Sequence, residues 1–245
     1  MTIWIDPPAW PAHGRLWSHL VSDTSYDELH EFAAAQGIPR RGFEGDHYDV
    51  PEDRYAALVA AGAREVGGRE LVRLLRASGL RVQKRRHEKV IASVPDAPWL
   101  PPGSRADVIA SRQENPPSHT VVVRLALFRG DDLLVLDRAD GGGADLPSAP
   151  VAGATPSEAV DLLHRVVTGE GTAPDMRLAG YVRNVVPHPD PDYPWPVPTA
   201  AFVVYRREVG PRIAALAGRW LLPSEQAEQL AERHWWPLLE HAPRA

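Results

Sequence analysis

The chain has no cysteine, which excludes disulfides, thiolate catalysis and zinc–sulfur centres. Lysine is nearly absent as well, with only Lys84 and Lys89 against a large excess of arginine. No apolar run reaches the roughly 18 residues of a membrane helix, so no membrane partner is expected. The opening MTIWIDPPAW has neither the basic flank nor the apolar core of a signal peptide, and a cytoplasmic protein is expected. Basic charge is not in surplus: the net charge of −5 argues against nucleic acid as a partner. Residues 1–90 are balanced in charge, so the acidity lies in the remainder.

What is present suggests two domains in 245 residues. Residues 2–6 (TIWID) read as a strand stopped by Pro7-Pro8, and Trp10–Asp23 as an irregular loop. Ser25, with Glu28 three residues on, forms a capping box for a helix that buries Leu29, Phe32 and Ala33 and stops at Gly37. His47–Val50 is a second strand, Pro51 opens a helix closed by Gly62, and Arg69–Ser78 is a third helix. Residues 1–83 are therefore expected to form a small α+β domain. Residues 84–118 are basic, then proline-rich, and read as a linker in which Asp107–Gln113 has the pattern of a helix. From 119 to 245 the order is strand (Thr120–Phe128), strand (Leu133–Arg138), helix (Glu158–Thr168), two strands (Leu178–Val186, Thr199–Val209) and helix (Ser224–Arg233).

Polar chemistry concentrates in the first 50 residues. His19 and Asp23 have i, i+4 spacing, Asp46 and His47 can join them from another strand, and Asp6, Asp49, His13 and His30 lie nearby in sequence. Imidazole with carboxylate suits a transition metal. No HExxH or comparable spacing is present, and the same residues serve equally as caps and loop partners, so no metal or cofactor is assigned. Arg15, Arg40 and Arg41 stand beside Gly14 and Gly42 and suit a phosphate, while Tyr48 with Trp10, Trp17 and Phe43 suits a stacked base. In the C-terminal part Trp195 lies on a proline-stiffened loop with Asp190, Asp192 and Tyr193.

Two resemblances bear on these residues. IDPPAWPAHGRLWSHLVSD, ELHEFA and GDHYDV are similar to a bacterial family known only as domain of unknown function 4031, which implies no activity. The strand pair, the turn Leu146-Pro147 and the segment GATPSEAVDLLHRVVTG resemble a Nudix hydrolase, with signature G-x5-E-x7-R-E-U-x-E-E-x-G-U. That resemblance implies an α/β/α sandwich over residues 119–245. Aligned on Gly153, Thr155, Ala159 and Gly169, its charged positions hold Ala154, Leu162, Leu163, Val166 and Val167. The family's carboxylates hold divalent cations, which hydrocarbon cannot do. The leading expectation is a non-catalytic Nudix-like module that binds a nucleotide-like small molecule or a protein partner. The apolar helix 158–168 would be closed over or would join a second copy as a homo-oligomer. The alternative is a hydrolase of phosphate anhydrides. It would use relocated ligands (Asp137, Asp140, Asp145, Glu170) or the N-terminal Asp/His/Arg cluster.

Overall fold

The computed structural model describes residues 2–82, 84–171, 176–213 and 215–241. The chain divides into two compact units, Met1–Gln83 and Lys84–Ala245.

The first unit is a small sheet with three helices. Its elements are β1 (Ile3–Ile5), β2 (Trp10–Ala12), β3 (Arg15–Ser22), α1 (Tyr26–Ala35), β4 (Tyr48–Pro51), α2 (Glu52–Ala60), β5 (Arg64–Glu65) and α3 (Gly68–Ala77). The segment Trp10–Asp23, expected as an irregular loop, is instead mostly a β-hairpin. His13 and Gly14 turn at positive φ, and Trp10–Ala12 pairs back on Arg15–Trp17. Prolines at positions 7, 8 and 11 hide the strand alternation in the sequence, yet proline is tolerated at an edge. Trp17 pairs with both Trp10 and Pro51, and Leu20 with both Ile5 and Tyr48. β1 and β2 therefore follow one another along one edge of β3, and β4 occupies the other edge. Period-two alternation sends Leu20, Tyr48 and Val50 into a core with Leu29, Ala33 and Leu58 of the helices. Val21 on the opposite face packs against Leu71 and Leu75 of α3. At the start of α1, Ser25 accepts from the Glu28 amide at 3.1 Å, but the Glu28 carboxylate takes the Ser22 hydroxyl rather than completing the box.

The second unit holds β6 (Glu88–Pro95), β7 (Arg105–Ser111), β8 (Thr120–Arg129), β9 (Asp132–Asp137), β10 (Ala144–Asp145), β11 (Ser148–Pro150), α4 (Pro156–Thr168), β12 (Arg177–Val185), β13 (Thr199–Glu208), β14 (Arg219–Leu221), α5 (Pro223–Leu230) and α6 (Trp236–His241). The sheet runs β10-β9-β8-β13-β12-β7-β6, with β11 on β8 and β14 on β9. β8 and β13 are parallel and the other pairs antiparallel. The expected linker is thus corrected: residues 84–118 supply two strands of this sheet. Asp107–Gln113 does not form a helix. In β7, Ala106 and Val108 enter the core while Asp107 on the other face pairs with Arg105 and Arg183 at 3.0 Å. Proline-rich flanks gave the segment a linker's composition without its behaviour.

Both faces of this sheet are covered. Phe202 and Val204 of β13 join a core with Trp235, Trp236 and Leu238 around α6. On the opposite face Arg207 reaches His164 of α4 and pairs with Glu170 at 3.0 Å. α4 is well capped: Thr155 and Glu158 form a full capping box, Pro156 opens the helix, and Gly169 closes it in the left-handed region at φ 74. Its apolar surface exceeds what the sheet covers. Leu163 and Val167 are buried, whereas Leu162 and Val166 stay 55% and 59% exposed.

Candidate metal centre

Four short pieces of the first unit meet at the exposed end of β3: the residue after β1, β3 itself, the turn Asp46-His47, and β4. The β3–β4 register places His19 directly opposite Asp49, so both side chains leave the sheet on the same face. His47 lies two residues before Asp49 and therefore leans to that face as well. Among the described residues, His19, His47 and Asp49 bring one ligand atom each within 4.8 Å of one another. Asp49 Oδ1 lies 3.3 Å from His47 Nε2 and 4.0 Å from His19 Nε2. Two ligands each about 2.1 Å from a tetrahedral ion would be roughly 3.4 Å apart, which these distances bracket.

Behind each imidazole stands a buried carboxylate. Asp6 Oδ2 is 3.0 Å from His19 Nδ1, and Asp46 Oδ1 is 2.5 Å from His47 Nδ1. Each aspartate is 2% exposed. Asp6 is fixed further by the His19 amide, which donates to its Oδ1. Asp46 accepts the Val82 amide at 2.7 Å and Arg81 Nη1 at 3.2 Å. A carboxylate on Nδ1 holds the proton there and turns Nε2 outward as a lone pair, the usual second layer behind a metal-binding histidine. Gly68, the first residue of α3, leaves room for Asp6; a Cβ there would stand 3.2 Å from Oδ2.

The electrostatics favour a cation. Burial works to raise the Asp46 carboxyl, but bonds from His47, Arg81 and Val82 outweigh it and hold the group below its usual value. Burial likewise opposes charge on His47, yet hydrogen bonds to Asp46 and Asp49 bring it up to about 9. A positive charge at this spot is thus stabilised by two carboxylates. The cluster is reached from solvent through Asp49 and His19, whose side chains are 41% and 25% exposed. Trp10, 56% exposed, stands against the His19 ring at 5.4 Å.

Of the residues singled out from the sequence, His19, Asp46 and His47 meet here. Asp23 does not: it accepts the Thr2 amide at 3.0 Å and Trp4 Nε1 at 2.9 Å, tying β1 to the end of β3. Its i, i+4 spacing from His19 has no meaning in a strand. Asp6 and Asp49, noted only as neighbours, take essential places. The Asp-His-x-Asp spacing of residues 46–49 on an expected strand was the available signal. Tyr48 is 1% exposed with its hydroxyl 2.9 Å from His30 Nδ1, so it does not offer a stacking face. Arg40 lies over Phe43 at 5.6 Å, and Arg41 follows it in a single helical turn, Arg40–Gly42. Arg15 is 4.0 Å from Asp53 and lines a groove of about 540 Å³ with His13 and Glu52. Trp195 lies in the other unit, edge-on to Phe202 at 5.4 Å.

Residues 3–78 match the family model described as protein of unknown function (DUF4031), a span that contains Asp6, His19, Asp46, His47 and Asp49. No curated protein matches the chain. Among solved structures, the chain is similar to the Bacillus subtilis pyrophosphohydrolase BsRppH, at 11% identity and a TM-score of 0.41, over 61% of this chain and 96% of that one.

Proposed function

We propose that the first unit holds a divalent transition-metal ion on His19 Nε2, His47 Nε2 and the Asp49 carboxylate, and uses it for metal-assisted hydrolysis. The observation that carries this reading is the paired second layer: both imidazoles are backed at Nδ1 by a buried aspartate and converge on a third carboxylate. Three protein ligands leave coordination positions open, as catalytic rather than structural sites do. A divalent ion there lowers the pKa of bound water and polarises a substrate oxygen. Arg81, 3.2 Å from Asp46, adds a guanidinium beside the cluster and suits an anionic substrate such as a phosphate ester or anhydride.

The Nudix-like segment is the weaker place for this chemistry. Leu162, Leu163, Val166 and Val167 offer no lone pair, and Glu158 is held in the cap by the Thr155 amide and hydroxyl at 2.8 Å. We assign it a binding role.

Metal content of the purified protein tests the proposal. About one zinc, manganese or iron per chain is expected, lost in His19→Ala and His47→Ala and retained in Asp23→Ala. Hydrolysis of a panel of phosphate esters and anhydrides should vanish in the same two variants. A chain that neither carries metal nor takes up cobalt in titration would overturn the reading.

A further inference from the structure

Arg124 stands in the middle of β8, opposite Ser148 of β11 on one side and Val204 of β13 on the other. Ala126 and Phe128 of β8, with Phe202 and Val204 of β13, share its face and belong to the hydrocarbon core beside α6. A guanidinium is out of place there. Its Nε and Nη1 are buried and make no hydrogen bond. Burial pushes the guanidinium below its usual range, with Asp145 acting in the opposite sense. Asp145 does not pair with it, being occupied by Trp235 Nε1 at 2.9 Å, the Leu146 amide at 2.8 Å and Arg138 at 3.4 Å. An unpaired buried cation is costly to fold around. Its one visible compensation is the Phe202 ring, 5.6 Å from Cζ.

The surroundings suit an anion joined to a flat ring. Trp195 meets Phe202 edge-on, with centroids 5.4 Å apart. Trp99, 48% exposed, is stacked on His234 at 5.7 Å. Burial and then Arg124 push His234 down to about 4, so it is neutral near pH 7 and leaves Arg124 as the unmatched charge. The neighbouring arginines are already engaged: Arg138 with Asp140 and Asp145, and Arg233 with the Ala144 and Gly142 carbonyls.

We propose that this face of the second unit binds a nucleotide without a metal ion, its phosphate paired with Arg124 and its base against the Trp195 or Trp99 ring. Arginine offers a fixed fork to phosphate, and indole rings stack on any base. This site is independent of the metal cluster, so either can fail alone.

The test titrates AMP and inorganic phosphate into the protein in EDTA, read by tryptophan fluorescence and thermal unfolding. AMP is expected to quench fluorescence and raise the melting temperature, with phosphate alone binding more weakly. Arg124→Met should weaken AMP binding roughly ten- to a hundredfold, the worth of a charged hydrogen-bonded contact. Without ligand the same variant should be at least as stable as the parent, because it removes an unpaired buried charge. Trp195→Leu should reduce the quench and the affinity together. The proposal is overturned if AMP has no effect at millimolar concentration, if phosphate binds as tightly as AMP, or if Arg124→Met leaves AMP affinity unchanged. Should the methionine variant fail to fold, Arg124→Gln replaces it, and unchanged AMP affinity there has the same consequence.

Discussion

Asp6 and Asp46 touch no ligand position directly, yet they decide which nitrogen of each histidine is free. Exchange for asparagine keeps the shape and removes the charge, so Asp6→Asn and Asp46→Asn should each lower metal affinity by about 10–100-fold. The proton on His47 gives a second readout. Its folded-state value of about 9 exceeds the ordinary 6.5, so in EDTA it contributes stability fully below pH 6.5. That contribution should decline as pH rises from 6.5 through 9. A metal ligand must be neutral, so binding at pH 7.5 should expel this proton, and the decline should disappear in the metal-loaded protein. Calorimetry in buffers of different ionisation enthalpy counts the proton directly. Zero release at pH 7.5 would show that His47 is not a ligand. At this scale the sequence was partly readable: residue types named His19, Asp46 and His47, but only the strand register could bring Asp49 opposite His19 and set Asp23 aside.

Helices were legible where caps and apolar spacing agreed, as at Ser25 and Thr155. Strands were lost where proline broke the alternation, as in β2, β6 and β7. The two faces of α4 show what spacing alone misses, since four apolar residues in the helix have two different fates. Leu163→Ala should cost about 2–5 kcal/mol in chemical denaturation, because a buried side chain leaves a cavity. Leu162→Ala should stay within roughly 0.5 kcal/mol, as an exposed substitution does. Equal losses would mean that Leu162 is covered, which the expected second copy would do. β12 carries a bulge at Gly180, where φ is +154 and an added Cβ would meet the Ile109 carbonyl oxygen at 2.3 Å. Gly180→Ala is therefore expected to destabilise by roughly 1–3 kcal/mol or more, since neither backbone can give way cheaply. An unchanged unfolding midpoint would disprove the bulge.

Each unit has its own core, one around Leu20, Tyr48 and Leu58, the other around Val204, Trp235 and Leu238. Each also carries its own proposed ligand, so the two should respond separately to what is bound. A ligand present at 100 times its dissociation constant adds about 2.7 kcal/mol to the unit that holds it and nothing to a unit that does not. Scanning calorimetry should accordingly resolve two transitions. Zinc or manganese should raise one of them, and His19→Ala should abolish that rise while leaving the other transition in place. AMP in EDTA should move the second, with Arg124→Met removing the effect. The assignment follows from which variant silences which shift, so it does not depend on which unit melts first. A single transition raised by both ligands would mean that the cores unfold as one, and the separation of chemistry into two units would fail with it.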